Sequence, residues 1–169
     1  DTGETTVDKA TLTFTSANWD TAQTVTVTGV DDVTVDGSQT TTITVAIDDA
    51  NSDNAFDNVA DQTVSVTTTD NDVAAFTVAE SAGNTSVDES GTTDNFTVVL
   101  DAQPFSVVVI NLTNPGADEI SIDKSTLTFT AANWNVAQTV TVTGVDDIAV
   151  DLDQLTSISL AVNDAASDD

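Results

Sequence analysis

The chain reads as an all-β protein, an antiparallel β-sandwich built as a tandem repeat. Three observations predict this. Short stretches alternate Val or Ile with Thr at a period of two, and no stretch carries a helical period. The acidic residues gather between those stretches instead of on them. A long part of the sequence returns at a constant offset of 115 residues.

The expected strands follow in order along the chain. Thr24-Val25-Thr26-Val27-Thr28 places Val on one face and Thr on the other. Thr42 to Ile47, Thr63 to Val66 and Asn95 to Leu100 repeat the pattern. Val, Ile and Thr are branched at Cβ and suit a pleated, half-buried surface. Strands at this spacing, separated by loops rich in Asp, Asn and Gly, indicate an antiparallel sandwich. Trp19 and Trp134 stand just before strands, where each ring is expected to plug the open end of a sandwich. Lys9 and Lys124 share a repeat position, and each is expected to pair with a nearby Asp.

The repeat sets the domain organisation. Residues 1–54 align with 116–169 without a gap, and 32 of the 54 positions are identical. Gln23 to Asp32 returns unchanged as Gln138 to Asp147. A period of 115 residues is one domain per repeat, since solenoid and propeller periods run about 20–50 residues. The first domain is expected over 1–72, incomplete because counterparts of 73–115 are missing, and ending in an Asp70-Asn71-Asp72 linker. The second is expected over 73–169, without a final strand matching 55–72. The intact protein is expected to be longer.

Composition narrows the function. The chain has 169 residues, 29 of them acidic against two Lys and no Arg, for a formal net charge of -27. Nucleic acid and anionic membrane surfaces need a positive patch, so neither is an expected partner. No apolar run approaches the roughly 20 residues of a membrane span. There is no Cys, so no disulfide and no thiolate site. With no His, Cys, Tyr or Arg, the common nucleophile and base pairs cannot be built, and no enzyme is expected. A pair of carboxylates could hydrolyse a glycoside, but the Asp pairs recur with the repeat and aromatic residues are 5% of the chain.

Only four of the 29 acids are Glu, and the Asp residues crowd the strand ends. Asp31 and Asp32 with Asp36 follow the first Val-Thr strand; Asp146 and Asp147 with Asp151 follow its second copy. Two carboxylates about 4 Å apart repel by roughly 4 kcal/mol at an effective dielectric near 20. With two Lys in the chain, such groups need a cation or full solvation. Calcium suits them, because it takes six to eight oxygen ligands in mixed geometry. Zinc and copper favour His and Cys. A solvated acidic surface is the alternative. Asp49, Asn51, Asp53 and Asp57 match four positions of an EF-hand loop, but Asn54 and Ala60 stand where that loop needs Gly and Glu.

Several motifs resemble one family in order. Val87-Asp88-Glu89-Ser90-Gly91 precedes an Asn95-Phe96-Thr97-Val98-Val99-Leu100 strand. Leu127-Thr128-Phe129, a Val-Thr-Val strand, Asp146-Asp147 and a closing Asp70-Asn71-Asp72 continue the set. Together they resemble the Calx-beta domains and the related repeats of large bacterial, RTX-type surface adhesins. The resemblance implies a Greek-key sandwich of immunoglobulin-like form with a calcium cluster at one end. It implies ligands at Glu89, Asp118, Asp146, Asp147 and Asp151 in the second copy, and at Asp31, Asp32, Asp36, Asp70 and Asp72 in the first. The family's Glu shortly after Asp-Asp is replaced here by Asp36 or Asp151.

The expected function is a calcium-stiffened extender repeat of an extracellular bacterial surface protein, with neighbouring repeats of the same protein as partners. Two other roles share the fold. One is a fibre subunit completed by strand exchange between chains. The other is a carbohydrate-binding accessory module using Trp19 and Trp134.

Overall fold

A computed structural model describes residues 3–150 and 152–167. The chain is all-β with antiparallel sheets, and a 3-10 turn at Ser81–Gly83 is the only helical segment among the described residues. It forms two compact units. Unit 1 is Asp1–Asp32 with Asp36–Asn71, and unit 2 is Val33–Val35 with Asp72–Asp169.

Unit 2 holds strands β5 (Phe76–Glu80), β6 (Thr93–Leu100), β7 (Val108–Thr113), β8 (Ile120–Ile122), β9 (Thr126–Phe129), β10 (Gln138–Gly144) and β11 (Ser159–Val162). They form a four-stranded sheet in the order β5-β6-β10-β8 and a three-stranded sheet in the order β11-β7-β9. From β6 to β11 each strand lies in the other sheet from the one before it. Alternation then does the packing. In β6 the inward residues are Phe96, Val98 and Leu100; β10 supplies Val140 and Val142. The opposite sheet supplies Ile110 and Leu112 from β7 and Leu127 and Phe129 from β9. These nine buried residues are the core between two sheets, and Trp134 packs against its edge.

Unit 1 holds β1 (Thr5–Val7), β2 (Val27–Gly29), β3 (Gln39–Val45) and β4 (Gln62–Thr68), which pair as two antiparallel ribbons, β1 with β2 and β3 with β4. Several local contacts of the repeat recur in both units. Lys9 and Lys124 each pair with the Asp before them and donate to a backbone carbonyl, of Thr24 and Thr139. The Asp8 carboxylate accepts the Thr26 N–H at 2.7 Å, and Asp123 accepts the Thr141 N–H at 2.7 Å. Asn18 and Asn133 close the same turn before the Trp, accepting from Thr15 and Thr130.

The burial is not the same. Phe129 is fully buried, while its counterpart Phe14 is 51% exposed. Trp134 meets the expected place at the core edge, but Trp19 is 72% exposed and plugs nothing. The expected strand over 24–28 shrinks in unit 1 to β2, whereas its copy β10 spans seven residues. The difference is a missing neighbour: β10 pairs with β6 over Gln138 to Thr143, and β2 has no strand on that edge.

This asymmetry gives a sharp mutational contrast. Phe129→Ala should destabilise unit 2 by about 3–5 kcal/mol, while Phe14→Ala should stay within about 0.5 kcal/mol. Denaturant melts of the two variants, followed through unit-specific tryptophan fluorescence, measure both.

Candidate metal centre

Two segments of unit 1 converge on one acidic group. Glu4 stands just before β1. Its carbonyl accepts the Val30 N–H at 2.8 Å and the Thr68 hydroxyl at 3.1 Å, so the ends of neighbouring strands fix its backbone. Asp32 and Asp36 lie on the loop between β2 and β3. Carboxylate oxygens of Glu4, Asp32 and Asp36 all lie within 4.8 Å of one another. Glu4 is 9% exposed, Asp36 is half-buried and Asp32 faces solvent. The Gln39 amide donates to Asp36 Oδ2 at 3.0 Å. Gly37 turns the loop with a φ of 73°, a conformation that Gly adopts without steric penalty, and its N–H donates to Asp70 Oδ2 at 2.8 Å.

Like charges at this spacing repel by about 3 kcal/mol per pair at an effective dielectric near 20. Neither Lys is paired with this group. Among the described residues the ion pairs are Lys9 with Asp8 and Lys124 with Asp123. No hydrogen bond among the described residues reaches the Glu4 carboxylate. A calcium ion holds oxygens at about 2.3–2.6 Å, so two ligands of one ion stand as far as about 5 Å apart. The observed spread fits that span, and the all-oxygen donor set suits a hard cation.

The predicted ligands fall into distinct places. Asp32 and Asp36 meet in this group, and Asp70 is tied to it through Gly37. Asp31 is exposed and outside it, and Asp72 belongs to unit 2. In unit 2, Glu89 lines an open cleft of about 1160 Å³ with Asp88, Glu119 and Asp153. Asp118, Asp146 and Asp147 are exposed and do not line it. Asp151 lies outside the described residues. Gly144 brings the opening loop close, since a Cβ there would sit 2.0 Å from the Asp88 carbonyl oxygen. Leu152, the repeat counterpart of Gly37, takes a similar left-handed φ of 66°.

Glu4 is not among the ligands expected from the sequence, although the repeat carries a signal for it. Glu4 and Glu119 are identical across the 115-residue offset, whereas Asp118 aligns with Gly3. Repeat identity marks the Glu, and mere acidity favours the Asp beside it. Comparison with protein families, with curated proteins and with solved structures finds no match for this chain.

Other carboxylates are held as anions by local donors. The Ser81 hydroxyl and the Ser86 and Asn95 amides keep Asp94 below the usual carboxylate range. The Ser90 hydroxyl and amide do the same for Asp88, and the Thr26 amide for Asp8. The Lys124 ammonium lowers Asp123. Depressed folded-state values stabilise the fold above the ordinary carboxyl value of 3.8. That stabilisation is lost as pH falls through the lowered folded values. Thermal melts in chelator should therefore show these groups' contribution constant from pH 7 to about 5 and falling below about 4. Asn at 94 and 123 should flatten the acid limb.

A second expectation concerns the cluster. Without divalent cation, Glu4→Gln should stabilise unit 1 by roughly 1–3 kcal/mol, because it removes repulsion. With calcium, the same change should weaken one binding event at least about tenfold, or about 1.4 kcal/mol. Calorimetric titration of parent and variant reads both the affinity and the count.

Proposed function

We propose that this chain is a calcium-binding, non-catalytic extender module, a run of tandem β-sandwich repeats of Calx-beta type that gives length and stiffness to an extracellular bacterial surface protein. One observation carries the reading: the Glu4 carboxylate, on a residue 9% exposed, shares a 4.8 Å cluster with Asp32 and Asp36. The same three positions return in the second copy as Glu119, Asp147 and Asp151. An acidic group that recurs with the domain is better explained by a repeated ligand set than by general surface charge.

The physical role follows from where the acids sit. Glu4, Asp32 and Asp36 come from strand ends and the β2–β3 loop, so a cation there adds a tie between those segments. Asp70, Asn71 and Asp72 lie at the boundary between the two units. Among the described residues no helix is long and apolar enough to cross a membrane.

Calcium that binds only the folded state adds about 2.7 kcal/mol at a hundredfold excess over Kd. For a domain of this size that is a rise of roughly 10–20 °C in melting temperature. Calcium should raise the melting temperature by that order, and chelator should lower it and loosen the particle in solution scattering. An unchanged melting temperature and scattering profile would retire the calcium-rod reading.

A further inference from the structure

The repeat makes unit 2 a template for unit 1. The same residues form the same local turns, ion pairs and hydrogen bonds in both, and differ in what covers them. In unit 2, β6 and β7 cover Leu127, Phe129, Val140 and Val142, all buried. The counterparts Leu12, Phe14, Val25 and Val27 are partly or largely exposed. The backbone is uncovered in the same pattern. Leu127 to Phe129 lie in strand β9 beside β7, whereas Leu12 to Phe14 form no strand. Trp134 packs on the core and its carbonyl accepts the Leu100 N–H at 3.1 Å, whereas Trp19 stands in solvent.

We propose that the open face of unit 1 is a docking surface for a three-strand β segment with the residue pattern of 73–115, supplied by another repeat of the same kind. The proposal rests on the tandem-repeat part of the reading above and not on its metal. The register of unit 2 fixes how the segment sits. Its β6 strand would pair along 23–28, with Phe96 opposite Val25 and Val98 opposite Gln23, as they stand opposite Val140 and Gln138. Its β7 strand would enter between two segments of unit 1. Ile110 would meet Leu12 on one side, as it meets Leu127, and Leu112 would meet Val45 on the other, as it meets Leu160. The carbonyl of Trp19 would then accept the incoming Leu100 N–H. Trp19 is thus a core-edge ring awaiting its cover, which accounts for its exposure without a sugar ligand.

The native spacing makes the test simple. Residue 115 precedes 116, whose counterpart is Asp1, so a second copy of 73–115 can be fused directly before Asp1 in the full chain. With Trp134→Phe, Trp19 is the sole indole. The expected result is a blue shift of Trp19 emission and a fall in acrylamide quenching to the level of Trp134 in the W19F parent. Phe14→Asp should abolish this shift in the extended chain and leave the unextended chain's melt unchanged. If the extended protein does not fold, the same 73–115 polypeptide titrated into the folded W134F chain should give the same blue shift. Trp19 remaining as exposed as in the parent, in both formats, overturns the proposal. Each format is run in calcium and in chelator. Docking that fails while calcium still binds sinks this inference alone, and docking without calcium binding sinks the metal reading alone.

Discussion

A strand of Val and Thr is held from two directions at once. A neighbouring strand must take its N–H and C=O groups, and an opposing sheet must cover its apolar face. In unit 2 both requirements are met by β6 and β7. β6 pairs with β10 and buries Phe96, Val98 and Leu100; β7 stands between β9 and β11 and buries Ile110 and Leu112. Those two strands are the condition for everything around them. Where they stand, Gln138 to Gly144 is a seven-residue strand and Phe129 is sealed. Where unit 1 has no such strands, the unchanged sequence QTVTVTG keeps only its last three residues as a strand, and they are held by β1. Propensity is equal in the two copies, so the partner decides.

The same logic governs the acidic loops. Strand ends in this chain carry carboxylates, and with two Lys against 29 acids the loops cannot be closed by ion pairs. Local donors quiet some of them: Ser81 at Asp94, Ser90 at Asp88, Thr26 at Asp8. The group at Glu4, Asp32 and Asp36 is different because it brings three carboxylates within 4.8 Å of one another, one of them on a residue 9% exposed. An oxygen-ligated cation, as proposed, would turn three repelling charges into one tie between the start of β1 and the β2–β3 loop. Stability and loop order would then rise and fall together with calcium.

Much of this was legible in the sequence. The Val-Thr alternation gave the sheets, and Asn95 to Leu100 and Thr63 to Val66 fall within β6 and β4. Asp32 and Asp36 were visible because Asp-Asp recurs after the same strand. What alternation could not supply was the occupancy of each edge. The stretch 24–28 has an ideal strand pattern, yet only its last two residues are strand in unit 1. Trp19 has the same neighbours in sequence as Trp134 and the opposite surroundings. Glu4 was missed because a lone Glu beside a short strand carries no local signature. Only its identity with Glu119 across the offset, and the fold that brings it to Asp32, mark it.

The claim that the Leu-Thr-Phe and Val-Thr-Val stretches are full strands only where β6 and β7 cover them can be read amide by amide. Site-resolved hydrogen exchange on the full chain compares residues of identical sequence in the two units. The account predicts that Leu127, Phe129, Val140 and Val142 open only with unit 2 as a whole, while Leu12, Phe14 and Val25 exchange near the rate of free peptide, a gap of at least about a hundredfold. Equal protection at Val25 and Val140 would contradict it.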